Sequence, residues 1–364
     1  MVTRMAREIA EQPDAVRRTL DALLPRREEL RALAAQRRRV LFVARGSSDN
    51  AAVYGRYLLE THAGVPASLA APSVATHYRA ALPLDDALVV SLSQSGATDE
   101  IVQTQAWARA QGAATLAVTN EAGSPLAEQS DAALVTQAGP ELAVPATKTY
   151  LTQLAALAVL GTALAPDPTT LDADLERLPG EVSRLLADAP QEDEAVELLA
   201  TAGTVVVSGR GLMLGTALEV ALKLEETTLR AARGYSYADL RHGPISVITE
   251  DVVAVPVAAP DGPLLGPMTG LAGELAERGA RTVGIGGDGG FPAACTRHLP
   301  GTDLPEVLAP LATVVPAQLL VERLCRRLGL DPDQPRGLAK VTSTDPHSGP
   351  DRPTRAQAQR RSTT

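Results

Sequence analysis

The sequence predicts an α/β protein whose parallel sheets are covered on both faces and whose basic unit occurs twice. Three observations carry this. Short apolar runs alternate with helical segments, which is the pattern of a parallel sheet packed between helix layers. Val43-Ala44-Arg45-Gly46 in the first half is echoed by Ser208-Gly209-Arg210-Gly211 in the second, as expected of a duplication. The length of 364 residues with 45% hydrophobic content exceeds what one core usually serves and suffices for two.

In chain order, residues 1 to about 38 read as amphipathic helices. Val40 to Ala44 is a buried-strand candidate that ends in Arg45-Gly46-Ser47-Ser48-Asp49-Asn50, with a helix beyond it. Further strands are expected at Ala67 to Ala70, Ala87 to Ser91, Thr115 to Thr119 and Ala132 to Val135, and a long helix at Thr147 to Leu164. Pro166-Asp167-Pro168-Thr169-Thr170 cannot continue that helix and reads as a linker. The second cycle has strands at Thr204 to Val207, Val252 to Val257 and Arg281 to Ile285. The expected organisation is N-terminal helices 1–38, a first unit 39–165, a linker with connecting helices 166–192, a second unit 193–344 and a disordered tail 345–364, which is polar and almost free of large apolar residues.

Composition narrows the function classes. A formal charge of -9 disfavours nucleic acid or an anionic membrane as partner, since both reward a basic surface. Two cysteines and five scattered histidines offer neither a disulfide framework nor metal-ligand spacing, so no metal or other cofactor is expected. The first residues lack an apolar signal core and no apolar run reaches membrane-spanning length, so the expected location is the cytoplasm.

Chemistry concentrates in a few runs. Leu92-Ser93-Gln94-Ser95-Gly96-Ala97-Thr98 closes an apolar strand just where a helix begins. The free N–H groups and dipole of a helix start can hold a phosphate, with Ser93, Gln94, Ser95 and Thr98 adding neutral donors. The same run is also what a plain helix N-terminus looks like. Glu219, Lys223 and Glu226 share one helical stripe. That stripe reads either as a solvated Glu219 to Lys223 pair or as a general acid/base at Glu226 with Lys223 beside it. His242 lies in Arg241-His242-Gly243-Pro244, a loop that could hold an imidazole at a fixed angle, although most loop histidines are structural or solvated. Lys340, in Asp333-Gln334-Pro335-Arg336-Gly337-Leu338-Ala339-Lys340, is a surface lysine or, near a carbonyl, a Schiff-base former.

In combination and order these segments resemble the sugar isomerase domain family, above all the isomerase half of glucosamine-6-phosphate synthase and its stand-alone deaminase relatives. The motifs are Arg-Gly-Ser-Ser, Ser-Gln-Ser-Gly-x-Thr, Val-x-x-Thr-Lys, Gly-Arg-Gly, Glu-x-Ala-Leu-Lys-Leu-x-Glu, Arg-His-Gly-Pro and Asp-Gln-Pro-Arg-x-Leu-Ala-Lys, spread between residues 38 and 342. The resemblance implies two doubly wound, flavodoxin-like subdomains, each a three-layer α/β/α sandwich. It implies that Ser48, Ser93, Gln94, Ser95 and Thr98 hold the substrate phosphate, while Gly46, Ser47, Val144 and Ala339 face the sugar hydroxyls. His242 would open the hexose ring, Glu226 would carry the proton between C1 and C2, Lys223 would assist it, and Lys340 would engage the open-chain carbonyl. In the family the histidine comes from the partner subunit, which implies a homodimer with a shared site and gives the apolar faces of the N-terminal helices a role at an interface. Arg45 stands where the synthase has a cysteine, as in the stand-alone deaminases, and Pro145-Ala146 replace an Ala-Ser pair.

Fewer than forty residues precede the first strand, so no glutamine-hydrolysing domain is expected. The resulting expectation is deamination and isomerisation of glucosamine 6-phosphate, or a close relative, to fructose 6-phosphate and ammonia. A fructosamine-6-phosphate deglycase, an ammonia-dependent synthase-like isomerase and a non-catalytic sugar-phosphate sensor are the alternatives. Which epimer is used, the physiological direction and any allosteric effector are not written in these motifs.

Overall fold

The computed structural model describes residues 2–188 and 193–340. The expected tail at 345–364 lies outside them. The first sheet contains β1 (Arg39–Val43), β2 (Ala67–Leu69), β3 (Ala87–Leu92), β4 (Ala114–Thr119) and β5 (Ala132–Val135), in the order β2-β1-β3-β4-β5. The second contains β6 (Thr204–Gly209), β7 (Ala232–Ser236), β8 (Val252–Ala258), β9 (Arg281–Gly286) and β10 (Arg297–Leu299), in the order β10-β9-β8-β6-β7. Read from its other edge, the second sheet repeats the order of the first. Every pairing is parallel, with Val40 opposite Leu88 in the first sheet and Val205 opposite Val253 in the second. The fold is a duplicated, doubly wound α/β structure.

Interior strands β3, β4 and β8 are buried at every position, which explains their unbroken apolar runs. β7 and β10 are absent from the sequence reading. β7 reads Ala-Arg-Gly-Tyr-Ser and β10 has three residues, and each is an edge strand. The edge strands β2 and β5 of the first sheet keep small or apolar residues and were expected, whereas β7 carries Arg and Gly and β10 Arg and His, so no apolar run marks them.

The termini knit the halves together. Met5 and Ile9 of the first helix are buried in the core of the second sheet, whereas Val16, Leu20, Leu23 and Leu30 fill that of the first. The apolar faces expected at an interface are therefore already covered inside the chain, chiefly by the helices Lys148–Leu164 and Asp172–Ala187 and, for the first helix, by Ala309–Arg327. The helix Ala309–Arg327 works in the opposite sense: Leu311 and Val315 join the first core, and Leu320 and Leu324 the second. Lys148–Leu164 is buried from Lys148 to Ala163, as befits a helix that is apolar all round. Pro166–Thr170 turns the chain into the helix Asp172–Ala187, whose Leu175, Leu178, Val182 and Leu185 also complete the first core.

Candidate active site

Strand order places the site. β1 leads outward to β2 while β3 leads the other way to β4, so their carboxyl ends part and leave a crevice where ligands of such sheets bind. After β1, Gly46 adopts φ 58° and ψ -134°, a conformation that side chains resist, and delivers the chain into the helix Ser47–Leu58. After β3, Gly96 has φ 59°, and a Cβ there would stand 2.0 Å from Ser124 Oγ, so only glycine allows this turn. The loop leads into the helix Asp99–Ala110. Ser93 and Thr98 hydroxyls lie 3.0 Å apart in a hydrogen bond, and Ala97 N donates to Ser95 Oγ at 3.2 Å.

These two loops wall a cavity of about 460 Å³. The helix Leu214–Thr228 contributes Lys223 and Glu226 to it, the loop before Lys148 contributes Val144 and Ala146, and the C-terminal segment contributes Leu338, Ala339 and Lys340. Every site residue expected from the sequence lines the cavity except His242, which is exposed on its loop elsewhere.

The Glu219 to Lys223 pair is not solvated, contrary to the bland reading of that stripe. Both side chains are buried, because the helix Ser47–Leu58 packs across the face that carries them. Lys223 Nζ donates to Glu226 Oε2 and lies 3.5 Å from Glu219 Oε1, while Asn50 Nδ2 donates to Glu219 Oε2 at 2.9 Å. Burial opposes the Lys223 charge, but the carboxylates of Glu219 and Glu226 outweigh it and hold the amine above its ordinary range. Burial raises Glu219, with Lys223 and Asn50 only partly offsetting it. Glu226 keeps 23% of its side chain exposed and lines the cavity.

Lys340 is tied down. Its Nζ donates to Glu141 Oε2 at 2.6 Å and to the Ala143 carbonyl at 2.8 Å. Glu141 is buried and also accepts from Thr147 N at 3.0 Å, Thr149 N at 3.1 Å and Thr149 Oγ1 at 2.6 Å, which caps the long buried helix. The segment that carries Lys340 is pinned upstream, where Asp333 accepts from Arg4 N and Met5 N and its carbonyl accepts from Val144 N. At the mouth, Arg45 forms a two-pronged ion pair with Glu100, at 2.9 and 3.0 Å. The sequence reading missed Glu141, Glu219, Asn50, Glu100 and Asp333 as members of this constellation. Two of them carried a signal: Glu219 by its place on the stripe with Lys223, and Asp333 by opening the motif that ends in Lys340.

Among the described residues no cluster of three or more His, Cys, Asp or Glu is placed to hold a metal ion, and no helix is long and apolar enough to cross a membrane.

The chain is thus a duplicated, doubly wound α/β protein in which hydroxyl-bearing loops at one switch point face a buried Lys and Glu pair across a shared cavity. The SIS domain model matches residues 33–163 and 198–323, and the chain belongs to that family. Among curated relatives, glutamine–fructose-6-phosphate aminotransferase (isomerizing) of Methanothermobacter thermautotrophicus is 37% identical over 351 residues, which cover 94% of this chain and 57% of that protein. The Aquifex aeolicus protein of the same name is 34% identical over 344 residues, 94% of this chain and 58% of its own. The chain thus spans under three-fifths of these relatives' length. Among solved structures, the C-terminal domain of glucosamine-fructose-6-phosphate aminotransferase from Francisella tularensis superposes with a TM-score of 0.84 at 28% identity, covering 92% of this chain and 99% of that one. Glucosamine-6-phosphate deaminase from Thermotoga maritima gives 0.77 at 25% identity, with 94% and 100% covered.

Proposed function

We propose that the chain is an aldose–ketose isomerase of amino sugar phosphates that converts glucosamine 6-phosphate, or a close relative, to fructose 6-phosphate with release of ammonia. One observation carries this reading: Glu226 and its paired Lys223 open into the same cavity as the hydroxyl loop at Ser93 to Thr98. An anion fixed by the loop would leave the carbon chain to run toward Glu226. The solved structures named for the deaminase and the aminotransferase support the substrate class.

In this reading Ser48, Ser93, Gln94, Ser95 and Thr98 hold the phosphate through neutral donors and the helix start, which suits a ligand that must be released. Gly46, Ser47, Val144 and Ala339 border the sugar. Glu226 removes the proton from one of the two adjacent carbons and returns it to the other, and Lys223 stabilises the charge that passes through the pair. Lys340, held by Glu141, presents a donor to the open-chain carbonyl oxygen. His242 opens the ring from a partner subunit, so the working unit is a homodimer with shared sites. Scarcity of free ammonia favours the deaminating direction.

The test is purified protein with glucosamine 6-phosphate and, in parallel, galactosamine and fructosamine phosphates, with ammonia release and solvent deuterium at the reacting carbon as readouts. Glu226→Gln should bind the sugar phosphate and lose about 100-fold or more in turnover. Binding without deuterium uptake or ammonia from the wild type would point to a sensor. Release of the substituent amine from an N-substituted fructosamine phosphate, with no ammonia from glucosamine 6-phosphate, would point to a deglycase.

A further inference from the structure

Glu219 has no part in the reading above, yet it is a wholly buried carboxylate directly behind the reacting pair. Its two oxygens are used unequally. Oε2 accepts from Asn50, whereas Oε1 is buried with no hydrogen-bond partner and faces Lys223 Nζ at 3.5 Å. An unfilled carboxylate oxygen in the interior is costly, and here it lies within a small side-chain shift of a cation. Lys223 itself is bonded to Glu226 and has almost no water to turn to, with 2% of its side chain exposed.

We propose that Glu219 is a positioning residue for proton transfer, the second partner that keeps Lys223 charged and in place while Glu226 carries the substrate proton. The proposal rests on the reading of Glu226 as the base. In that step a substrate C–H bond breaks, an O–H bond forms on the Glu226 carboxylate, and the electron pair passes through carbon to the adjacent carbonyl oxygen. Glu226 thereby loses its charge and most of its hold on Lys223. Without a second acceptor a buried ammonium would be stranded, raising the barrier to the step. A shift of the amine by under about 1 Å toward Glu219 restores a charge-assisted hydrogen bond, and the return of the proton reverses the shift.

The surroundings favour this exchange. The polar groups set against Glu219 from other helices are Asn50 and Ser47 on Ser47–Leu58 and Tyr150 on Lys148–Leu164. All three are neutral, since burial and the Glu219 charge hold the Tyr150 phenol well above its ordinary range. Lys223 is the cation that Glu219 faces, and Glu141 adds a further, more distant negative charge favouring that amine.

Glu219→Gln tests the proposal, because glutamine can still accept from Asn50 while losing the charge toward Lys223. With the wild type showing deuterium uptake from solvent, Glu219→Gln should lower kcat about 10- to 100-fold, leave KM within about two-fold, and move the acid limb of the kcat profile to lower pH as Lys223 stays on Glu226. In a Lys223→Met background the same change should cost less than about two-fold, since its route of action is gone. Glu219→Asp, which keeps the charge but withdraws the acceptor, should show an intermediate loss, and it carries the test if Glu219→Gln does not fold. Wild-type kcat and pH profile in a folded Glu219→Gln enzyme, or an equal loss in both backgrounds, would overturn the proposal and leave the Glu226 reading standing. No deuterium uptake by the wild type would overturn both.

Discussion

Glu141 sits where burial and hydrogen bonding pull a carboxyl in opposite directions. Burial raises its pKa, but Lys340 and the donors on Thr149 and Thr147 pull it below the ordinary 4.5. A depressed carboxyl contributes stability that is full above its unfolded value and is lost as pH falls through its folded one. The melting-temperature gap between wild type and Glu141→Gln should therefore narrow as pH drops from about 5 toward 3. At neutral pH, breaking this buried pair should cost on the order of 2–4 kcal/mol. A gap that is constant or widens with acid would refute this ionisation. Ser95→Ala should weaken sugar-phosphate affinity by roughly 1.5–3 kcal/mol, read by calorimetry on folded protein. Ser93 to Thr98 could be found in the sequence because hydroxyls closing an apolar strand announce themselves locally. Glu141 could not, because Lys340 lies 199 residues away. Glu219 stood in plain view on its stripe, but helical spacing tells which residues share a face and not whether another helix covers it.

At the scale of elements, the contact between Ser47–Leu58 and Leu214–Thr228 joins the Gly46 to Ser48 wall of the cavity to the wall that carries Lys223 and Glu226. Gly215 permits it: a Cβ there would lie 2.5 Å from the Asn50 carbonyl oxygen and 3.3 Å from Tyr54 N. Gly215→Ala should push the two helices apart, with a stability loss of about 1–3 kcal/mol by denaturant unfolding and a fall in kcat as the Asn50 to Glu219 bond is stretched. Full stability and turnover in that variant would show that the helices do not depend on this close approach. Elements made of unbroken apolar runs, such as β3, β4, β8 and the helix Lys148–Leu164, were legible from the sequence. β7 and β10 were not, because Arg, Gly and His interrupt them and their strand conformation comes from pairing with β6 and β9.

At the scale of the molecule, each terminus fills the other half's core, so the duplicated units stand or fall together. Leu320→Ala in the helix shared between the cores should cost about 2–5 kcal/mol and leave one cooperative unfolding transition instead of two. For the proposed shared-site dimer, mixing Glu226→Gln and His242→Asn subunits should restore activity to about a quarter of wild type, since half the dimers would carry one intact site. No recovery on mixing would confine both residues to one chain or remove His242 from the chemistry. The sequence by itself determined the α/β class, the duplication and the two loops at the switch point, because apolar periodicity and glycine-bearing turns are local properties of the chain. Only the tertiary structure decided that the N-terminal helices are interior packing, that Lys340 is clasped by Glu141, and that Glu219 and Lys223 are buried. Burial and pairing depend on what arrives from distant parts of the chain, and no local pattern encodes that.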